Sequence, residues 1–467
     1  MKKLFLLLML LPLLAYGEQA HPWLHIYRND VNFHSIKAAQ IDSITHKLYE
    51  DESLDSMIVN GKENRLSVPL SNIERCAVGT NVPTVYITIP DNPGLTELYD
   101  KELYLDAMIS IDGNGVVDDL EPTAVSIKGR GNSTWNYAKK PYRLKFDKKI
   151  AICGLAKAKS YALIANYIDC TLMRNAVALK MGQLLNMPFT NHCQPIRVYF
   201  NGIFKGAYFI TEKIGITGAS VDIDEESGIL FEMDTNFDEA YKFTSMYYSL
   251  PMMVKDPDLS EIAELKGVTP QSLLETWGDD FEAFESKVFY GEDLSGSLDM
   301  ESLVNYMLVY NVCGNREPAW PKSVYLYKAS LDDVYHFGPI WDFDWGFTYN
   351  DGVENQVATL PLLETFQYEQ FGGPFLKTIC SRPEFRTLYQ QKFDNFKQNL
   401  LPTLLEYMDE YAGEIEPSAI ENGVVWAPEA GRTEGSFHFR ENVEKLKQWI
   451  ADRIEYISNH PNFGLYN

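Results

Sequence analysis

Two stretches of this 467-residue chain bring together residue types that do chemistry. The first is Trp341-Asp342-Phe343-Asp344-Trp345-Gly346-Phe347. Read as an extended segment, it points Asp342 and Asp344 to one side. Two close carboxylates among bulky aromatics are costly to desolvate unless a cation or a hydrogen-bond set compensates. A hard divalent cation such as magnesium suits the pair, because it takes few carboxylates and fills its shell with water and phosphate oxygens. The bland alternative has Asp342 capping a turn and Asp344 facing solvent. The second stretch is Val125 to Phe146, VSIKGRGNSTWNYAKKPYRLKF. From Lys128 to Lys149 it carries Lys128, Arg130, Lys139, Lys140, Arg143, Lys145, Lys148 and Lys149 against Asp147, within a chain of formal charge −24. Read with period two, it is a strand pair whose cations Lys128, Arg130, Arg143 and Lys145 alternate off an apolar face. The joining GRGNST permits unusual backbone angles and close approach of N–H groups to an anion, so a phosphate suits it. The rival is a solvated basic hairpin.

Other candidates are weaker. The segment GNREPAWPKS offers Asn315, Arg316, Glu317 and Lys322 in a loop between a buried helix and a strand, where rigid scaffolds display catalytic groups. Glu212 and Lys213 end a strand, and Glu232 and Asp234 share a face of another. The run Asp112 to Asp119 lacks the spacing and the final glutamate of a calcium loop. Nucleophile-elbow, zinc-protease and Walker motifs are absent from the sequence.

The elements that must position these groups follow from turn signals and periodicity. Residues 18–82 read as a small β-rich unit, with a hairpin turn at Asn60-Gly61, and a new unit starts at the β-branched strand Thr84 to Ile89. A helix is expected from about Thr171 to Leu185, capped by Asp169. The sequence RVYFNGIFKGAYFITEK predicts a hairpin turning at Asn201-Gly202, and Gly228 to Asp234 a further strand. A helical region spans about Asp256 to Tyr290, and an apolar helix Met300 to Tyr310. Strands at Ser323 to Tyr327 and Tyr335 to Ile340 lead into the aspartate pair, and an amphipathic helix closes the chain.

The opening MKKLFLLLMLLPLLAYG has two lysines, a short apolar run and an A-x-G pattern, the marks of a signal peptide over residues 1–17. The expected product is exported, either secreted or placed in the periplasm or cell envelope, and has no integral membrane segment. Six widely spaced cysteines without C-x-x-C exclude a zinc ribbon or a dense disulfide scaffold. The acidic balance disfavours nucleic acid as a partner.

The ordered set RGNSTW…KKPYRLKF, ANYIDCTLMRN, VYFNGIFKGAYFITEKI, GN…SVYLYK and PIWDFDWGF resembles the spore coat protein H kinase family, the CotH kinases, over about Thr84 to Phe463. The resemblance implies an α+β, atypical protein-kinase-like two-lobed fold over residues 83–467, with a helical C-terminal part, preceded by the β-rich N-terminal domain. It implies a secreted phosphotransferase that uses ATP and Mg²⁺ or Mn²⁺ to modify Ser or Thr of a protein acceptor. By the same resemblance GRGNST looks like a phosphate-covering loop, Arg130 and Lys145 like phosphate ligands, and Glu212 like the acid that orients a lysine. Asp342 looks like the metal-binding aspartate, with Asp344 as helper, and Glu317 stands where the family's catalytic aspartate is expected. The family's Asn-x-Asp reads here Asn315-Arg316-Glu317, and Ser323 stands where a metal-binding Asn is expected. A kinase-fold protein without turnover, serving as a cell-surface interaction or adhesion factor, is therefore the rival from another class. An aromatic-rich carbohydrate-binding accessory protein is a third reading.

Overall fold

The computed structural model describes residues 23–28, 33–48, 54–62, 64–347, 357–364, 371–426 and 438–467. The expected signal peptide at 1–17 lies outside them. The chain divides into two compact units, one from residues up to 172 with 194–211 and 410–442, the other from 173–193, 212–409 and 443–467. The class is mixed α+β, with several sheets and a barrel in the N-terminal region.

The first unit opens with six strands: β1 (Trp23–Arg28), β2 (Phe33–Lys37), β3 (Ile41–Leu48), β4 (Leu54–Gly61), β5 (Arg65–Pro69) and β6 (Ile73–Gly79). They form the sheets β2-β1-β6 and β3-β4-β5, which share a core of Leu24, Ile26, Met57 and Val59. Asn60 and Gly61 end β4 rather than forming the hairpin turn: the Gly61 N–H donates to Asn64 O, so the reversal falls after them.

Seven strands then close a barrel: β7 (Thr84–Thr88), β8 (Leu105–Asp112), β9 (Leu120–Gly129), β10 (Tyr142–Ile150), β11 (Ala158–Ile164), β12 (Gln194–Phe200) and β13 (Ile203–Glu212). Their order is β10-β11-β13-β12-β7-β8-β9, and β7 runs parallel to β12. Ile127, Tyr142, Leu144 and Phe146 are buried, so the alternation that turns Lys128, Arg143 and Lys145 outward follows from filling the barrel. At the β12–β13 turn Asn201 and Gly202 have φ of +45° and +79°, the backbone a two-residue type I′ hairpin needs. Lys139, fully buried, donates to Ala165 O, Ala207 O and the Asn422 side chain.

The second unit is built on the antiparallel sheet β15-β16-β14-β17-β18, from β14 (Ile229–Met233), β15 (Lys242–Thr244), β16 (Pro251–Asp256), β17 (Val324–Lys328) and β18 (His336–Phe337). Its helices are α1 (Arg174–Leu184), α2 (Leu259–Lys266), α3 (Pro270–Tyr290), α4 (Met300–Cys313), α5 (Gly372–Cys380) and α6 (Pro383–Asn395), while α7 (Leu401–Trp426) and α8 (Phe439–Asn459) contribute turns to both units. The caps are those the sequence supplies. Thr269 accepts from Ser272 N–H ahead of Pro270, Asp299 accepts from the Glu301 and Ser302 N–H groups, and Gly291 and Gly314 close α3 and α4 with positive φ. Asp169 is different: it accepts from Thr171 N–H and Oγ1 in the preceding turn, and the N-cap of α1 is Met173, without a side-chain cap bond. Among the described residues no helix is long and apolar enough to cross a membrane.

Candidate functional site: a carboxylate cluster

The site grows from the end of α4. Gly314 takes a left-handed conformation (φ +61°), its N–H bonds to Asn311 O, and the Asn315 N–H reaches back to Tyr310 O. This double closure satisfies the last carbonyls and turns the chain sharply into Asn315. A side chain at 314 is excluded twice over, since a Cβ there would lie 2.7 Å from the Trp449 ring. Asn315 is fully buried and works as a knot. Its Oδ1 accepts from Glu317 N–H (3.1 Å), and its Nδ2 donates to Asp342 O (2.8 Å) and to the Glu317 carboxylate (3.4 Å).

The aspartate segment is not extended, contrary to the alternation expected from sequence. Asp342 has φ +60° and Asp344 lies in a turn. Phe343 is fully buried against Tyr310, ring centroids 4.8 Å apart, and its carbonyl accepts from Gly346 N–H (3.0 Å). Burial of this one aromatic reverses the chain, so the two carboxylates do not sit as alternate residues of a strand. The Tyr310 hydroxyl donates to Trp341 O (2.9 Å) and the Phe347 N–H to Cys313 O (2.6 Å), which fixes both ends of the turn to α4.

The first turn of α1 supplies the remaining clamp. Asn175 Oδ1 accepts from Phe343 N–H (2.8 Å), Asn175 Nδ2 donates to the Asp344 carboxylate (2.5 Å), and Arg174 Nη1 donates to Asp344 O (2.9 Å). Asp344 is buried, and Asp342 half-buried. From the end of β14, Asp234 accepts from Lys322 Nζ (3.2 Å), Ser323 N–H (3.1 Å) and Asn236 N–H (2.7 Å). Glu317 keeps some solvent-accessible surface but is set deep. Burial first, then the Asp342 carboxylate, pushes its carboxyl well above the usual range; Asp234 and Asp344 add to the rise, while the Asn315 hydrogen bond opposes it. Glu317, Asp342, Asp344 and Asp234 thus share one electrostatic neighbourhood.

Among the described residues no three His, Cys, Asp or Glu side chains stand close enough together to hold a metal ion by themselves. The donor set suits a hard cation bound through one or two carboxylates with water and a phosphorylated ligand completing the shell, and does not suit a closed protein cage.

The remaining sequence candidates belong to other elements. Arg130 and Lys145 belong to the barrel unit, Arg130 at the start of the β9–β10 connection with its N–H on Pro141 O, and Lys145 exposed on β10. Glu212, buried at the end of β13, accepts from the His192 N–H (2.9 Å) and pairs with His192 Nδ1 (2.7 Å), a bond that raises the His192 pKa.

A family model described as CotH kinase protein matches residues 127–457. The chain belongs to the CotH kinase family. No curated protein matches it. The CotH-family region begins within β9 and ends within α8, so it takes in Arg130, Lys145, Glu212, Asp234, Glu317, Asp342 and Asp344. Family membership suggests a kinase-like function. It also takes in Asn175, the clamp that sequence reasoning assigned no role. Its only signal was its place in the ANYIDCTLMRN motif, because an asparagine gains a role here from a loop 168 residues away.

Proposed function

We propose that this CotH-family protein is an exported phosphotransferase that uses ATP and Mg²⁺ or Mn²⁺ to phosphorylate Ser or Thr of a protein acceptor, its two compact units corresponding to the lobes of a kinase-like fold. The observation that carries the reading is the electrostatic grouping of Glu317 with Asp342, Asp344 and Asp234, held by the Asn315 and Asn175 hydrogen bonds. Such a grouping of like charges is unfavourable by itself and gains purpose when cationic charge enters. Asp342 and Asp344 would hold the cation, which when bound supplies charge neutralisation for phosphate oxygens. Asn175 keeps one Asp344 oxygen engaged and fixes the turn. Glu317 takes the acceptor hydroxyl proton on its carboxylate, which requires that carboxylate to be ionised. Arg130 and Lys145 would neutralise nucleotide phosphates.

A second reading, a kinase-fold interaction protein with little turnover, is favoured by one feature. Ser323 has φ +48° and its N–H is spent on Asp234, while Lys322 puts an ammonium on that same carboxylate. Where the family resemblance calls for a metal-binding amide this chain has Ser323, and the adjacent Lys322 forms an internal ion pair with Asp234. The decisive experiment is calorimetric titration of ATP with and without Mg²⁺. The phosphotransferase reading expects metal to tighten ATP binding and Asp342→Asn to abolish that enhancement with the fold intact. Metal-independent ATP affinity, unchanged in Asp342→Asn, removes it.

A further inference from the structure

The outer face of the barrel carries a cluster of which the reading above uses only Lys145. Lys128 on β9 and Arg143 on β10 are direct cross-strand partners, and Lys145 follows two residues later on the same face. Like charges directly opposite one another destabilise a strand pair, yet here a third is added. All three converge on one ring: Lys128 Nζ, the Arg143 guanidinium carbon and Lys145 Nζ lie 5.3, 5.9 and 5.8 Å from the Tyr104 centroid. The attraction of a ring face for a cation is about 0.5–1 kcal/mol at exposed sites, too little to gather three. Glu102 reaches the group, 3.4 Å from Lys128, but is itself 71% exposed and also 3.8 Å from Lys101. Lys101 is otherwise turned to Asn132 Oδ1 and Gly131 O in the β9–β10 connection.

An independent observation points to a ligand. The Tyr104 hydroxyl and Arg143 Nε are both buried from solvent and lack a hydrogen-bond partner. A buried donor left unmade costs about 1–3 kcal/mol, and two in one cluster of cations call for a common acceptor. Three cations against Glu102 leave the cluster net positive, and the several oxygens of a phosphate can accept from a hydroxyl, a guanidinium and two ammonium groups together.

We propose that Tyr104, Lys128, Arg143 and Lys145 form an oxyanion site on the outside of the barrel that binds a phosphoryl group. Lys145 is shared with the nucleotide reading above, and the site rests on that reading only through it. The phosphoryl group can come from the nucleotide tail or from a phosphorylated residue of the acceptor; the chemistry is the same.

The test titrates the full chain, without divalent metal and at low salt, with inorganic phosphate, ATP and phosphoserine, in the native protein, Arg143→Gln, Tyr104→Phe and the control Lys159→Gln. Lys159 is an exposed lysine of the neighbouring β11. The expected result is saturable phosphate binding that weakens at least ~10-fold in Arg143→Gln and roughly 3-fold to 10-fold in Tyr104→Phe, which loses one hydroxyl donor and keeps the ring. Lys159→Gln should bind as the native chain does. ATP affinity that falls in parallel with phosphate assigns the site to the nucleotide. Retained ATP affinity with lost phosphoserine binding assigns it to a phosphorylated acceptor. Absence of saturable phosphate binding, or equal effects of Arg143→Gln and Lys159→Gln, overturns the proposal. The metal-dependent component of ATP binding in Asp342→Asn is a separate readout, so failure here and failure of the phosphotransferase reading are told apart.

Discussion

Replacing Glu317 by glutamine should stabilise the protein, and the gain should grow with pH. In the unfolded chain a glutamate releases its proton near pH 4.3. In the folded chain burial and the Asp342, Asp234 and Asp344 carboxylates hold the proton well above that value. The folded state therefore binds a proton that the unfolded state has lost, and its stability falls as pH rises from the unfolded value to the folded one. Glutamine does not titrate. At pH 4 and below, Glu317→Gln should be nearly neutral. Above that, its advantage should grow with pH, by at most about 1.4 kcal/mol per pH unit, and level off once pH passes the folded value. Denaturant unfolding at pH 4, 5, 6 and 7 without divalent cation measures this as a midpoint shift at unchanged slope. Mg²⁺ should shrink the gain, because a cation at Asp342 and Asp344 offsets the repulsion that raises Glu317. Parallel stability curves for the two proteins across this range would refute the reasoning, since they would mean that Glu317 titrates as an ordinary surface carboxyl.

Two further outcomes follow from the same geometry. Asn175→Ala removes the partners of Phe343 N–H and of one Asp344 oxygen; it should cost about 1–3 kcal/mol, and hydrogen exchange at the Phe343 amide should quicken selectively, whereas unchanged exchange there contradicts the clamp. Gly314→Ala meets both a left-handed backbone and the Trp449 ring, so a loss of at least about 1 kcal/mol is expected, and a neutral outcome in thermal unfolding shows that the α4 terminus tolerates repacking.

Local signals in the sequence located most elements of the second unit. The helical region ending at Tyr290 and the apolar helix from Met300 are expected from sequence, and the structure caps them with Thr269, Asp299 and the glycines 291 and 314, which sequence reasoning did not single out as caps. Asn201-Gly202 marks its hairpin because the backbone there needs two positive φ values. What was not legible depends on partners far along the chain. The parallel pairing of β7 with β12, which closes the barrel, joins Thr84 to Arg197 across more than a hundred residues. Asp342 and Asp344 read as alternate strand residues because period two is all that five residues can show, whereas the burial of Phe343 on Tyr310 sets the turn. Asp169 looked like a helix cap since side-chain type alone cannot tell a cap from an Asx turn four residues ahead of the N-cap Met173. The carboxylate types at the site were visible in sequence. Their grouping with Asp234, and the asparagines 175 and 315 that tie it together, needed the fold.

Transfer of the γ-phosphate tests the central claim most directly. The purified chain, incubated with γ-labelled ATP and Mn²⁺ or Mg²⁺ in the presence of a Ser/Thr-containing protein acceptor, should place label on hydroxyl side chains, and label should be lost without metal, in Asp342→Asn and in Glu317→Gln. If the native chain transfers nothing while Glu317→Asp does, or if Glu317→Gln transfers as well as the native chain, the assignment of Glu317 as the working base is contradicted.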